Sequence, residues 1–74
     1  MEKKVIAIIE KVINDNDIKP IVDSINKDTD LIMDLNFDSF NMAQLTVELE
    51  AEFGVDIFES GLISNVQEIL SKLV

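Results

Sequence analysis

The chain has 74 residues, 47% of them hydrophobic, and a formal net charge of −9. That length allows one small domain with a thin margin of stability. Leu, Ile, Val and Phe make up 29 of the 74 residues, well above the roughly 20% that marks a disordered chain. His, Cys, Tyr, Trp and Arg are all absent. Disulfides and thiolate metal sites are therefore excluded, and with them go the usual general base, the strongest nucleophile and the bidentate anion clamp. The chain is not expected to be an enzyme, and residues 1–74 read as a single domain.

The charge is unevenly placed. Residues 1–27 carry five acids and five lysines, whereas residues 28–74 carry ten acids and only Lys72. Such a chain repels nucleic acid and anionic membranes, whose phosphates call for Lys and Arg, and suits basic protein surfaces. Lys3 and Lys4 precede the apolar run Val5–Ile9, but Glu10 and Lys11 end it short of a signal peptide's apolar core. No run approaches the ~18 apolar residues of a membrane span, so the expected location is the cytoplasm, or an organelle matrix if a transit peptide has been removed.

The first predicted helix covers Glu2 to Asn14, with Val5, Ile6, Ile8, Ile9, Val12 and Ile13 at helical spacing. The run Asn14-Asp15-Asn16-Asp17 ends it. A long connection from Asp15 to Phe37 contains the sole proline, Pro20. Its apolar residues Ile18, Ile21, Val22, Ile25, Leu31, Ile32 and Leu35 are expected to lie against the core, with a short helical turn near Pro20–Ile25. A connection this long is commonly functional.

The second helix is predicted from the N-cap Asp38 to Phe53, with Gly54 as a left-handed stop. Met42, Leu45, Thr46, Leu49 and Phe53 share one face. Phe40, Ala43 and Val47 form a second apolar stripe nearly opposite, flanked by Gln44, Glu50 and Ala51. Periodicity supports two readings of that stripe equally: a docking face, or packing under the long loop. The last helix is predicted from Ser64, where Ser64-Asn65-Val66-Gln67 has the S-x-x-Q form of a capping box. The segment Val55–Ile63 between them has room for one short turn.

Two site chemistries come to the fore. A calcium loop starting at Asp28 fails, because its positions 5, 6 and 12 are Ile32, Met33 and Ser39. No metal site is expected. Ser39, in the first turn of the second helix, sits where free N–H groups and the positive end of the helix dipole favour an attached phosphate. No basic side chain is placed by motif to activate it, so it reads as a residue modified by another enzyme rather than a nucleophile in its own right.

The run Asp34-Leu35-Asn36-Phe37-Asp38-Ser39-Phe40, followed by a helix ending Glu48-Leu49-Glu50-Ala51-Glu52-Phe53-Gly54, resembles the acyl carrier protein family, which is marked by an Asp-Ser-Leu motif opening its second helix. The resemblance extends over nearly the whole chain. It implies an all-α fold, a small four-helix bundle with a long first loop and a short third helix. It further implies that Ser39 bears 4′-phosphopantetheine, derived from coenzyme A and attached covalently. Asp38, Phe40, Ala43, Gln44, Val47 and Glu50 match the motif and partner-docking positions, which resolves the second stripe in favour of docking. Phe40 stands where leucine is usual, and Asn36 where glycine is usual. Gln44 and Ala51 replace positions often acidic in fatty-acid carriers.

The implied function is a carrier, expected to be monomeric, holding acyl or aminoacyl groups as thioesters for fatty-acid, polyketide, nonribosomal peptide or D-alanyl transfer. The implied partners are a phosphopantetheinyl transferase, an acyl- or aminoacyl-loading enzyme, and a downstream synthase or transferase with a basic docking surface. The alternative is a non-carrier, acidic helical protein-interaction module.

Overall fold

The structure is a computed structural model that describes residues 2–55 and 63–73. It contains three helices among the described residues: α1 (Glu2–Asp15), α2 (Ser39–Phe53) and α3 (Val66–Leu73). α1 packs against both of the others. The expected short third helix of a four-helix bundle falls on residues 56–62, outside the described residues.

α1 buries Val5, Ile9 and Val12, one residue per turn. Its end is a Schellman motif. Asp17 adopts a left-handed φ of 53°, its N–H donates to the Asn14 carbonyl (3.4 Å), and the Ile18 N–H donates to the Ile13 carbonyl (3.0 Å). α2 buries Met42, Leu45 and Leu49 on one face. Thr46, on the same side, satisfies its hydroxyl by donating to the Met42 carbonyl (2.9 Å). α3 buries Val66 and Ile69.

The three helices together bury eight apolar residues, too few to fill the core, and the long connection supplies more. Leu31 and Leu35 are fully buried and Phe37 nearly so. Ile18, Val22 and Ile25 pack half-buried against the same core, whereas Ile21 and Ile32 are exposed. The expected helical turn at Pro20–Ile25 does not form. Residues 21–24 bend instead, because the Ile21 N–H donates across the loop to the Asp34 carbonyl (2.9 Å) rather than along the chain.

The helical turn lies further on, at residues 30–36. Asp34 and Leu35 donate to the Asp30 carbonyl and Asn36 donates to the Ile32 carbonyl. The turn stops at Asn36, whose φ of 66° is left-handed, in keeping with the tolerance of asparagine for that region.

The start of α3 also departs from expectation. The N-cap is Asn65, whose Oδ1 accepts from the Glu68 N–H (2.9 Å), not Ser64. The S-x-x-Q box cannot close because the Gln67 N–H is taken by the Lys27 carbonyl (2.8 Å). Ser64 is drawn into an isolated antiparallel bridge pairing Asp30 with Asn65, in which the Leu31 N–H donates to the Ser64 carbonyl (2.8 Å) and the Val66 N–H to the Thr29 carbonyl (3.2 Å).

A polar seam closes the α1–α2 interface. Lys4 pairs with Glu52 (3.3 Å), and Lys11 bridges Asp15 and Glu48. The Glu48 and Asp15 carboxylates hold the Lys11 ammonium above its ordinary value of 10.5. Because the folded value is raised, this contribution is complete below about pH 10.5 and is lost as pH rises through the folded value. Lys11→Met is therefore expected to lower the melting temperature at pH 7, with the gap to wild type narrowing in strongly alkaline buffer.

Two further outcomes test the packing. Asn36→Val forces a β-branched residue into a left-handed φ and is expected to cost about 1–2 kcal/mol in urea unfolding, while Asn36→Gly costs far less. Leu49→Ala is expected to cost about 2–5 kcal/mol. Val47→Asp, on the outer face of the same helix, should stay within about 0.5 kcal/mol of wild type.

Candidate functional site

The site is built around the first turn of α2. Asp38 has extended backbone (φ −103°, ψ −176°) and closes a reciprocal capping box with Asn41. Asp38 Oδ1 accepts from the Asn41 N–H (2.8 Å), and Asn41 Oδ1 accepts from the Asp38 N–H (3.0 Å). Asn41 is buried, which fixes the box against the core. The D-x-x-N spacing was a readable signal for this partner, since a capping box needs an acceptor three residues after the cap.

The capping box orders the helix start while leaving two donors open. Among the described residues, no acceptor takes the N–H groups of Ser39 or Phe40, and none engages the Ser39 hydroxyl, which is exposed. An anion attached to Ser39 would meet those N–H groups and the positive end of a 15-residue helix.

Beside Ser39 lies a groove of about 540 Å³, lined by Ile32, Phe37, Met42, Ala43 and Ile63 together with Asp38, Ser39 and Ser64. Its walls come from the 30–36 turn, from α2 and from the chain leading into α3. An open hydroxyl, unpartnered N–H donors and an apolar groove together fit a phosphate-linked arm at this serine.

The other sequence-derived positions separate into two groups. Phe40, Ala43, Val47 and Glu50 are exposed on α2, Phe40 to 70% and Val47 to 66%, so the second stripe does not pack under the loop. Gln44 is half-buried, and its carboxamide is engaged with the end of α1. Its Oε1 accepts from Asn16 Nδ2 (2.8 Å), and its Nε2 donates to Asp15 Oδ2 (3.3 Å). Gln44 thus ties helices together across 28 residues of sequence, a pairing that helical periodicity does not register. Sequence reasoning also missed Met33, 73% exposed, and the exposure of Ile32.

No helix among the described residues is long and apolar enough to cross a membrane. No curated protein and no solved structure matches the chain significantly. The family model described as the phosphopantetheine attachment site matches residues 3–71, nearly the full length and all three helices. Domains of this family are not catalytic themselves; a phosphopantetheinyl transferase modifies them and partner enzymes use them. The chain belongs to the phosphopantetheine attachment site family, and its cofactor is covalent 4′-phosphopantetheine.

Proposed function

We propose that Ser39 is the attachment residue and that the protein carries acyl chains. The observation that carries this reading is the position of Ser39, an exposed serine opening α2 on the edge of an apolar groove. Its hydroxyl forms the phosphodiester with the phosphopantetheine half of coenzyme A, and the adenosine bisphosphate half leaves. Among the described residues no side chain accepts from the Ser39 hydroxyl, and the base that takes its proton is assigned to the transferase. Once attached, the arm supplies a thiol that holds cargo as a thioester.

The residues of this chain have distinct parts in that work. Asp38 and Asn41 fix the helix start, and the open N–H groups of Ser39 and Phe40 favour the phosphate. Phe40, Ala43, Val47 and Glu50 form an exposed apolar stripe with an acidic margin, suited to enzymes with basic docking surfaces. The groove favours a hydrocarbon cargo over a small polar aminoacyl group, because burying each CH₂ stabilises by about 0.8 kcal/mol. This supports fatty-acid or polyketide synthesis over nonribosomal peptide or D-alanyl transfer.

The test is modification followed by loading. Incubation with coenzyme A, Mg²⁺ and a broad-specificity phosphopantetheinyl transferase should add the mass of one arm, and Ser39→Ala should abolish the addition. Carriers bearing an octanoyl or an alanyl thioester are then melted. The octanoyl form is expected to melt roughly 5 °C or more above the unloaded form, with little change for the alanyl form. No modification of wild type would overturn the assignment of Ser39. Equal melting of the two loaded forms would overturn the acyl cargo.

A further inference from the structure

The turn at residues 30–36 displays apolar side chains for which its own folding has no use. Leu31 and Leu35, four residues apart, are both fully buried, and a helical turn that buries those two faces residues 32 and 33 outward. Polar residues would satisfy that geometry equally well. The chain places Ile32 and Met33 there instead, 54% and 73% exposed.

Their display is rigid. Asp30 Oδ1 accepts from both the Ile32 N–H (2.9 Å) and the Met33 N–H (2.8 Å), and Asp34 Oδ2 accepts from the Asp30 N–H (2.9 Å). The bridge between Asp30 and Asn65 ties the same turn to the start of α3. A fixed pair of exposed apolar side chains is a surface made for contact.

Position and charge define the occupant. Ile32 lines the groove that Ser39 also lines, so the turn stands beside the hydroxyl. Asp28, Asp30, Asp34 and Asp38 flank the pair along the chain with no cation among them, so the segment that carries it is acidic. Enzymes that act on the thiol work at the far end of the arm. The enzyme that installs the arm must bring its own active site to the Ser39 hydroxyl.

We propose that Ile32 and Met33 are docking residues for the phosphopantetheinyl transferase, received by an apolar cleft with a rim of lysine and arginine. The proposal rests on the assignment of Ser39 made above. It extends the contact surface beyond α2, onto the loop that precedes it.

Steady-state modification kinetics, with the carrier as the varied substrate and intact mass as the readout, test it. Met33→Ser and Ile32→Ser are each expected to raise KM roughly tenfold with kcat unchanged, as the loss of one buried apolar contact implies. Ile21→Ser is the control, as exposed as Met33 at 73% but outside the 30–36 turn, and should leave KM as in wild type. KM for wild type should also rise with NaCl, as screening weakens an acid–base contact. Wild-type KM in both variants, an equal rise in Ile21→Ser, or a KM indifferent to salt would each overturn the proposal while leaving Ser39 as the attachment residue. Failure of wild type to be modified would overturn the Ser39 assignment itself. Melting temperatures accompany the kinetics, and a large drop in Met33→Ser would show that the side chain is packed and overturn the docking role.

Discussion

Burial of Leu31, Leu35 and Phe37 is the contact on which the remainder of the molecule depends. Three helices of 14, 15 and 8 residues expose too much apolar face to be covered by one another alone. The connection between α1 and α2 therefore has to serve as a wall of the core. Once its leucines are drawn inward, the left-handed Asn36 turns the chain towards Phe37, and Phe37 in turn delivers Asp38 and Ser39 to the start of α2. The Ser39 hydroxyl is positioned by hydrophobic packing upstream of it, and the capping box then holds what that packing has aligned.

The same logic accounts for the division of charge. Lys4 and Lys11 on α1 reach across to Glu52 and Glu48, which relieves repulsion along one edge of α2 at a seam that is otherwise polar. Exposed pairs of this kind add little stability individually. Their larger effect is on distribution, since two lysines of the balanced first segment neutralise acids of the second. Glu50 lies away from that edge, exposed beside Val47 and Ala51. Part of the acidic charge thus stays beside the apolar stripe.

How much of this was legible in the sequence depended on how local each signal is. The limits of α2 were readable because Asp38 and Gly54 act on their immediate neighbours, the one by accepting from Asn41 and the other by a φ of 71°. Asn36 was readable for the same reason. The cap of α3 was not, because the decisive partner of Gln67 is the carbonyl of Lys27, forty residues away in sequence. Gln44 was placed among the docking positions by resemblance, and periodicity held no sign of its engagement with Asp15 and Asn16 at the end of α1. Pro20 and its neighbours were misjudged because the Ile21 N–H had a distant acceptor that outcompeted a local turn.

The ties between the loop and α3 have a consequence for how this surface can change over time. They run from main-chain N–H to main-chain carbonyl, at Lys27 with Gln67, Thr29 with Val66, and Leu31 with Ser64. A bond between backbone atoms is indifferent to the side chain mounted on either residue, proline aside. Lys27, Ser64 and Gln67 are all exposed, so their identities are open to drift without loosening the frame around the groove. The side chains at this end of the molecule can therefore be rewritten while Ser39 stays where it is, a separation of scaffold from surface.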